Sequence, residues 1–241
     1  MIKFQGVHIG YKEKLMVISN LDLECAKMYA LIGSNGSGKS TLLNTILGSL
    51  PILGGKLSIN NHESTVISKH DLAKTIAFVD SKFDGIEHLT VYDYVALGRT
   101  PYTNAIGRLT EEDRLIIDSS IEKLQLNQFK DRETSKLSDG ERQMVSIARA
   151  ICQTTPIILL DEPTAFLDYG NRKKLISLLN RLAKEGNKCI LFSTHDIEIC
   201  LEEEEMNLLI VNQTTKELES HNSSIKKSDI ISIGFKLETE Q

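Results

Sequence analysis

Apolar and polar residues alternate through the first two dozen positions, as in Ile2/Phe4 and Leu21/Leu23, and this predicts antiparallel strands with a Gly10-Tyr11 turn. Tyr29-Ala30-Leu31-Ile32 is a short buried-strand run. Leu42, Leu43, Ile46 and Leu47 then recur at helical spacing until Pro51 stops them. A turn and strand are predicted over 53–60, and a buried strand over 75–79. From Thr90 to Cys152 the pattern becomes helical: 91–98, then 111–124 behind a Thr110 cap, then a helix opening at Ser138. Strand character returns at 156–160 and 188–192, with a helix between them through Leu175, Leu178, Leu179 and Leu182. A hairpin is predicted from Asn207 to Ser220, then a polar stretch of low definition. The acidic run Glu202 to Glu205 reads as a solvated helix end. Strands alternating with helices predict an α/β chain with a doubly wound parallel sheet, an antiparallel β-subdomain and an inserted α-helical subdomain. The whole of 1–241 reads as a single domain, with a core of 1–82 and 156–241 and a helical part of 83–155.

Composition changes this picture little. The 241 residues are 41% hydrophobic and 25% charged, ordinary for a soluble globule. A net charge of -5 without a lysine-arginine cluster argues against a nucleic-acid surface. Cys25, Cys152, Cys189 and Cys200 show no C-x-x-C spacing, so neither a zinc site nor a disulfide framework is expected, and a reducing compartment fits best. The amino-terminal residues lack a signal-peptide pattern, and no apolar run approaches the ~20 residues of a membrane span. Any action at a membrane is expected to run through a partner.

The chemistry is concentrated in three stretches. Gly33-Ser34-Asn35-Gly36-Ser37-Gly38-Lys39-Ser40-Thr41 fills the phosphate-loop pattern, with a strand before it and a helix behind. Glycines let backbone amides curl around phosphate oxygens, Lys39 adds a point charge, and Ser40 offers a hydroxyl to a magnesium ion on a nucleoside triphosphate. Ile157 to Leu160 carries Asp161 and Glu162 out of a buried strand. Asp161 is expected to hold magnesium and Glu162 to polarise the attacking water; the plainer reading is two surface acids ending a strand. Leu137-Ser138-Asp139-Gly140-Glu141-Arg142-Gln143 contains an S-x-x-E capping box with a glycine in the first turn, either an anion site or simply a well-capped helix.

These stretches, followed by Leu160-Asp161-Glu162-Pro163-Thr164, Leu167-Asp168 and Ser193-Thr194-His195-Asp196, closely resemble an ABC transporter ATPase subunit. The resemblance implies a P-loop NTPase (RecA-like) core and a cycle of ATP binding and hydrolysis with Mg2+. It matches Tyr11 to the aromatic residue that stacks on adenine, Asp161 to the magnesium aspartate, Glu162 to the catalytic glutamate and His195 to the histidine on the γ-phosphate. It assigns Ser138, Gly140, Glu141 and Asp168 to the ATP of the opposite subunit. One chain has one phosphate loop and one Ser-x-Gly-Glu stretch, so two complete sites imply a head-to-tail homodimer. Two integral membrane permease subunits and, indirectly, a substrate-binding protein are the implied partners, with the chain peripheral on the cytoplasmic face of the plasma membrane.

The stretch from Leu89 to Thr103, with Val95-Ala96-Leu97-Gly98-Arg99-Thr100-Pro101-Tyr102 at its centre, is similar to the helical subdomain of importer ATPases for iron-siderophore, haem and vitamin B12. Two departures stand out: Ser81 occupies the place of a glutamine that touches magnesium and water, and Phe166 replaces a small residue. A serine reaches less far than glutamine and offers no amide carbonyl. The sequence therefore also admits an ATPase of another importer or an exporter, and a nucleotide-gated dimerising protein with weak hydrolysis.

Overall fold

In a computed structural model that describes residues 1–203 and 205–235, the chain opens with β1 (Ile2–Gly10), β2 (Lys14–Leu23), β3 (Lys27–Ile32), α1 (Lys39–Ile46), β4 (Gly54–Ile59) and β5 (His62–Glu63). Then come α2 (Lys69–Thr75), β6 (Ile76–Val79), α3 (Val91–Ala96), α4 (Glu111–Lys123), α5 (Asp139–Cys152) and β7 (Ile157–Leu160). The chain closes with α6 (Tyr169–Glu185), β8 (Cys189–Thr194), α7 (Ile197–Glu202), β9 (Asn207–Val211), β10 (Leu218–Asn222) and α8 (Lys227–Gly234). The elements form two compact units, one from Met1–Ser68 with the described residues from Tyr169 onward, the other Lys69–Asp168.

The first unit holds two sheets. One is antiparallel, in the order β2-β1-β4-β5. In β1 the inward positions change parity, from Ile2 and Phe4 to Val7 and Ile9, yet all four are buried. A bulge makes this possible: the β1–β4 register shifts between Gln5 and His8, and Gly6 between them has φ 58°. The other sheet sets β3 parallel to both β8 and β9, with β10 antiparallel to β9. Residues Met28 to Ile32 and the whole of β8 are buried, the unbroken apolar run of strands covered on both faces. Leu175, Ile176 and Leu179 of α6 are buried in this unit as well.

In the second unit β6 and β7 pair in parallel, Val79 opposite Leu160. Of its helices, α3, α4 and α5 begin where the sequence places them. Thr90 accepts a bond from the Asp93 amide, and Thr110 with Asp113 and Ser138 with Glu141 close full capping boxes at α4 and α5. α3 stops at Ala96, and 97–102 winds on as a tighter 3-10 turn that accommodates Pro101. The short α2 buries no residue, so it has no apolar stripe for a sequence to display.

One expectation is corrected. The stretch after Ser220 is not without definition: it completes β10 and forms α8, which buries only Ile230 and Gly234. The acidic run does end α7, with Glu202 and Glu205 exposed, and its carboxylates also take protein partners. Glu202 accepts bonds from Tyr169 Oη at 2.7 and 2.8 Å and from Lys173 Nζ at 3.2 Å, Glu203 from Asn180 Nδ2 at 2.6 Å, and Glu205 from Lys184 Nζ at 2.7 Å. Glu204 lies outside the described residues. The four cysteines are free thiols, and no described helix is long and apolar enough to cross a membrane.

Candidate nucleotide site

The phosphate loop leaves the end of β3 and enters α1 through Gly38, which has φ 101° and serves as the helix N-cap without any side chain. A Cβ there would lie 2.9 Å from Leu15 Cδ2, so only glycine satisfies both the backbone angle and the packing. Lys39 is 7% exposed and donates from Nζ to the Gly33 and Ser34 carbonyls at 2.9 and 3.3 Å, folding its ammonium back over the loop. Ser37 Oγ is buried and has no hydrogen-bond partner. An unpaired hydroxyl is costly in such a place, and a phosphate oxygen would satisfy it. A loop of this build, at the amino end of a helix, is chemically suited to a polyphosphate.

His195 comes to this loop through strand pairing. Ile32 of β3 stands opposite Thr194 of β8, so Gly33 and His195 are the next residues on two adjacent parallel strands, which run about 4.8 Å apart. His195 is exposed, while Thr194 before it is buried. Tyr11, in the turn between β1 and β2, presents an open ring face at 70% exposure. Sequence reasoning missed one support of the loop. The Ser34 amide donates to the Gly234 carbonyl at 3.2 Å, so the end of α8 fastens the first residues of the phosphate loop. A terminal helix with two buried residues gives no sequence signal for such a role.

In the second unit the pairing of Val79 with Leu160 does similar work. It sets Asp80-Ser81 and Asp161-Glu162 as the continuations of neighbouring strands, and the Asp161 amide donates to the Val79 carbonyl at 2.9 Å. Asp161 is 7% exposed. Glu162 has φ 46°, a left-handed conformation that non-glycine residues rarely take and that concentrates at functional positions. Turn bonds from Ala165 to Glu162 and from Leu167 to Thr164 then shape the approach to Asp168. Ser81 is held close to the strand end, its amide donating to Asp80 Oδ1 at 2.8 Å. Arg149 of α5 donates to the Phe78 carbonyl at 2.6 Å and fixes that end from the other side.

The α5 amino terminus is rigidly built. Glu141 Oε2 accepts from the Ser138 amide and hydroxyl, both at 2.7 Å. Burial works against ionisation of Glu141, but the two Ser138 bonds prevail and hold its carboxyl below the ordinary glutamate value. Gly140 lets the Phe166 carbonyl approach, since a Cβ would stand 3.0 Å from that oxygen. The backbone preceding Asp168 is thereby brought against the first turn of α5. Phe166 itself is 42% exposed. The Ser40 hydroxyl in the first unit and the Asp161 carboxylate in the second are each hard oxygen donors of the kind magnesium prefers. Among the described residues no cluster of three or more His, Cys, Asp or Glu forms a protein-only metal cage, so such an ion would depend on phosphate and water oxygens as well.

A family model described as ABC transporter matches residues 18–165. The iron(3+)-hydroxamate import ATP-binding protein FhuC of Bacillus subtilis is 37% identical over 190 residues, covering 78% of this chain and 71% of that protein. A solved structure described as the inward-facing conformation of a metal-chelate type ABC transporter superposes with a TM-score of 0.80 at 27% identity, over 96% of this chain and 88% of that one. A dimeric ATP-binding cassette in a post-hydrolysis state, bound to ADP and Pi, superposes with a TM-score of 0.77 at 29% identity, over 92% of this chain and 99% of that one.

Proposed function

Because the chain belongs to the ABC transporter family, we propose that it is the ATP-hydrolysing subunit of a membrane importer whose cargo is an iron-siderophore or a related metal chelate. The observation that carries the ATPase reading is the pair at the end of β7: a buried Asp161 followed by Glu162 in a left-handed conformation. Ser40 and Asp161 would hold magnesium, which supplies charge neutralisation on the outer phosphates. Lys39 and His195 stabilise negative charge on the transferred phosphoryl group, Glu162 orients and deprotonates the attacking water, and Tyr11 stacks on the base. Ser138, Gly140, Glu141 and Asp168 belong to the seam with a second copy, where the α5 amino terminus faces the phosphates of the opposite site.

ATP closes the homodimer and hydrolysis reopens it, and the two states drive two membrane permease subunits on the cytoplasmic side between outward and inward access. The cargo assignment rests on the similarity to FhuC and to the metal-chelate type transporter. Two measurements test the whole. Steady-state ATPase activity with magnesium is expected to rise more steeply than linearly with chain concentration; strict proportionality at all concentrations removes the dimeric engine. Deleting the chain from its host is expected to abolish uptake of radio-iron presented as a ferric hydroxamate, and unchanged uptake removes the hydroxamate from the cargo class.

Asp80 and Ser81 favour a slow cycle. The Ser81 hydroxyl lies 3.5 Å from Asp80 Oδ1 and is too short to replace an amide side chain at the metal-bound water. Ser81→Gln is expected to raise kcat several-fold with little change in ATP affinity, read from initial rates and equilibrium nucleotide binding. An unchanged or lower kcat overturns the reading that serine slows the cycle.

A further inference from the structure

We propose that Arg172 is a positioning residue for His195, acting through the carboxylate of Asp196. The inference rests on the reading of His195 as the group that meets the γ-phosphate. Asp196 is engaged on three sides. Its amide donates to Thr194 Oγ1 at 3.0 Å, Oδ1 accepts from the Ile199 amide at 3.3 Å and caps α7, and Oδ2 accepts from Arg172 Nη1 at 3.0 Å. The first two bonds are local, tying the residue to the strand before it and the helix after it. The third ties it to α6, an element whose apolar face is buried in the same unit through Leu175, Ile176 and Leu179.

His195 stands between Thr194 and Asp196, so its backbone is set by bonds on both sides. The side chain is exposed. Its place relative to the phosphate loop depends on the peptide that carries it, and α6 is what anchors that peptide from outside. Further along α6, Lys173, Asn180 and Lys184 meet Glu202, Glu203 and Glu205, fastening the end of α7 and the segment after it to one stripe of the helix. Arg172 is the member of this set that reaches the residue next to the histidine. Its pair with Asp196 is partly shielded, with side-chain exposures of 34% and 18%, and is therefore less screened than the outer pairs.

The test uses the full chain and four variants: Arg172→Ala, Arg172→Lys, His195→Ala and, as a control on the outer part of the stripe, Lys184→Ala. The expected result is that Arg172→Ala lowers kcat about tenfold or more while KM and nucleotide affinity stay within about twofold. Arg172→Lys recovers part of the loss, Lys184→Ala retains the parental rate, and Arg172→Ala adds nothing in the His195→Ala background. The His195 ring resonance, assigned by its disappearance in His195→Ala, is expected to move in Arg172→Ala and to stay in place in Lys184→Ala. A folded Arg172→Ala with parental kcat and an unmoved His195 resonance overturns the proposal. If His195→Ala hydrolyses at the parental rate, it is the reading of the site that fails, and the resonance alone then decides about Arg172. Should Arg172→Ala not fold, Asp196→Asn takes its place, since the amide oxygen still caps α7 while the ion pair is gone.

Discussion

Glu162→Gln is expected to bind ATP as the parent does and to hydrolyse it about a thousandfold more slowly, within the range that general-base catalysis contributes. The substitution keeps the length and shape of the side chain and its capacity to hold a water. It removes only the ability to take a proton. The backbone argues for the same residue: φ 46° at Glu162 costs on the order of 1–3 kcal/mol, and a chain tolerates such a conformation only where its surroundings impose it. Here the Asp161 amide is tied to Val79, and the Ala165 amide donates to the Glu162 carbonyl at 3.1 Å, so the residue is held from both sides. Loss of turnover with unchanged nucleotide affinity, and a dimer that persists in ATP on a sizing column, would complete the expected result. Parental turnover in Glu162→Gln would remove Glu162 from the proton-accepting role.

What the sequence made legible was local. The phosphate loop, the Thr110 and Ser138 capping boxes and the apolar run of β7 each declare themselves within ten residues, because the interactions that define them span three or four positions. What stayed hidden depended on distant partners. Nothing near Glu202 says that Tyr169 and Lys173 will meet it, and nothing near Gly234 says that its carbonyl will receive the Ser34 amide. The β1 bulge escaped for another reason: Ile2, Phe4, Val7 and Ile9 do not fit a single alternation, and only a two-against-one pairing across Gly6 puts them all inside. The fold class was readable because it follows from element order. The site was readable because phosphate binding reuses a fixed loop, whereas its supports at α8 and α6 are contingent on tertiary packing.

The stretch around Arg99, read from sequence as similar to the helical subdomain of importers, gives the second large effect. Arg99→Ala is expected to destabilise the chain by about 3–5 kcal/mol, the cost of removing one member of a buried ion pair. Arg99 is 6% exposed; its Nε lies 2.8 Å from Asp113 Oδ1, and its Nη1 donates to the Cys152 carbonyl and Thr154 Oγ1 at 3.0 and 2.9 Å. The guanidinium also lies 4.2 Å from the centre of the Tyr102 ring, whose hydroxyl donates to the Gln153 carbonyl at 3.0 Å. One side chain thus joins the 3-10 turn, the start of α4 and the end of α5. Gly98 permits the approach, since a Cβ there would stand 2.4 Å from the Arg149 carbonyl. At about 2–4 °C per kcal/mol for a chain of this size, the thermal midpoint should fall by roughly 10 °C. Arg99→Lys should recover little, because a point charge cannot fork between a carboxylate and a carbonyl. The acid side offers an independent check. The Thr110 amide foremost, then the Thr110 hydroxyl and Arg99, depress the Asp113 pKa against the opposing effect of burial. A depressed carboxyl adds stability above its unfolded pKa and loses it as pH falls through the folded value. Arg99→Ala should therefore weaken the stability lost on acidification below the ordinary aspartate range, while leaving the Thr110 share in place. A midpoint within about 2 °C of the parent, smaller than the shift from 1 kcal/mol, would mean that the pair contributes no more than the apolar contacts around it.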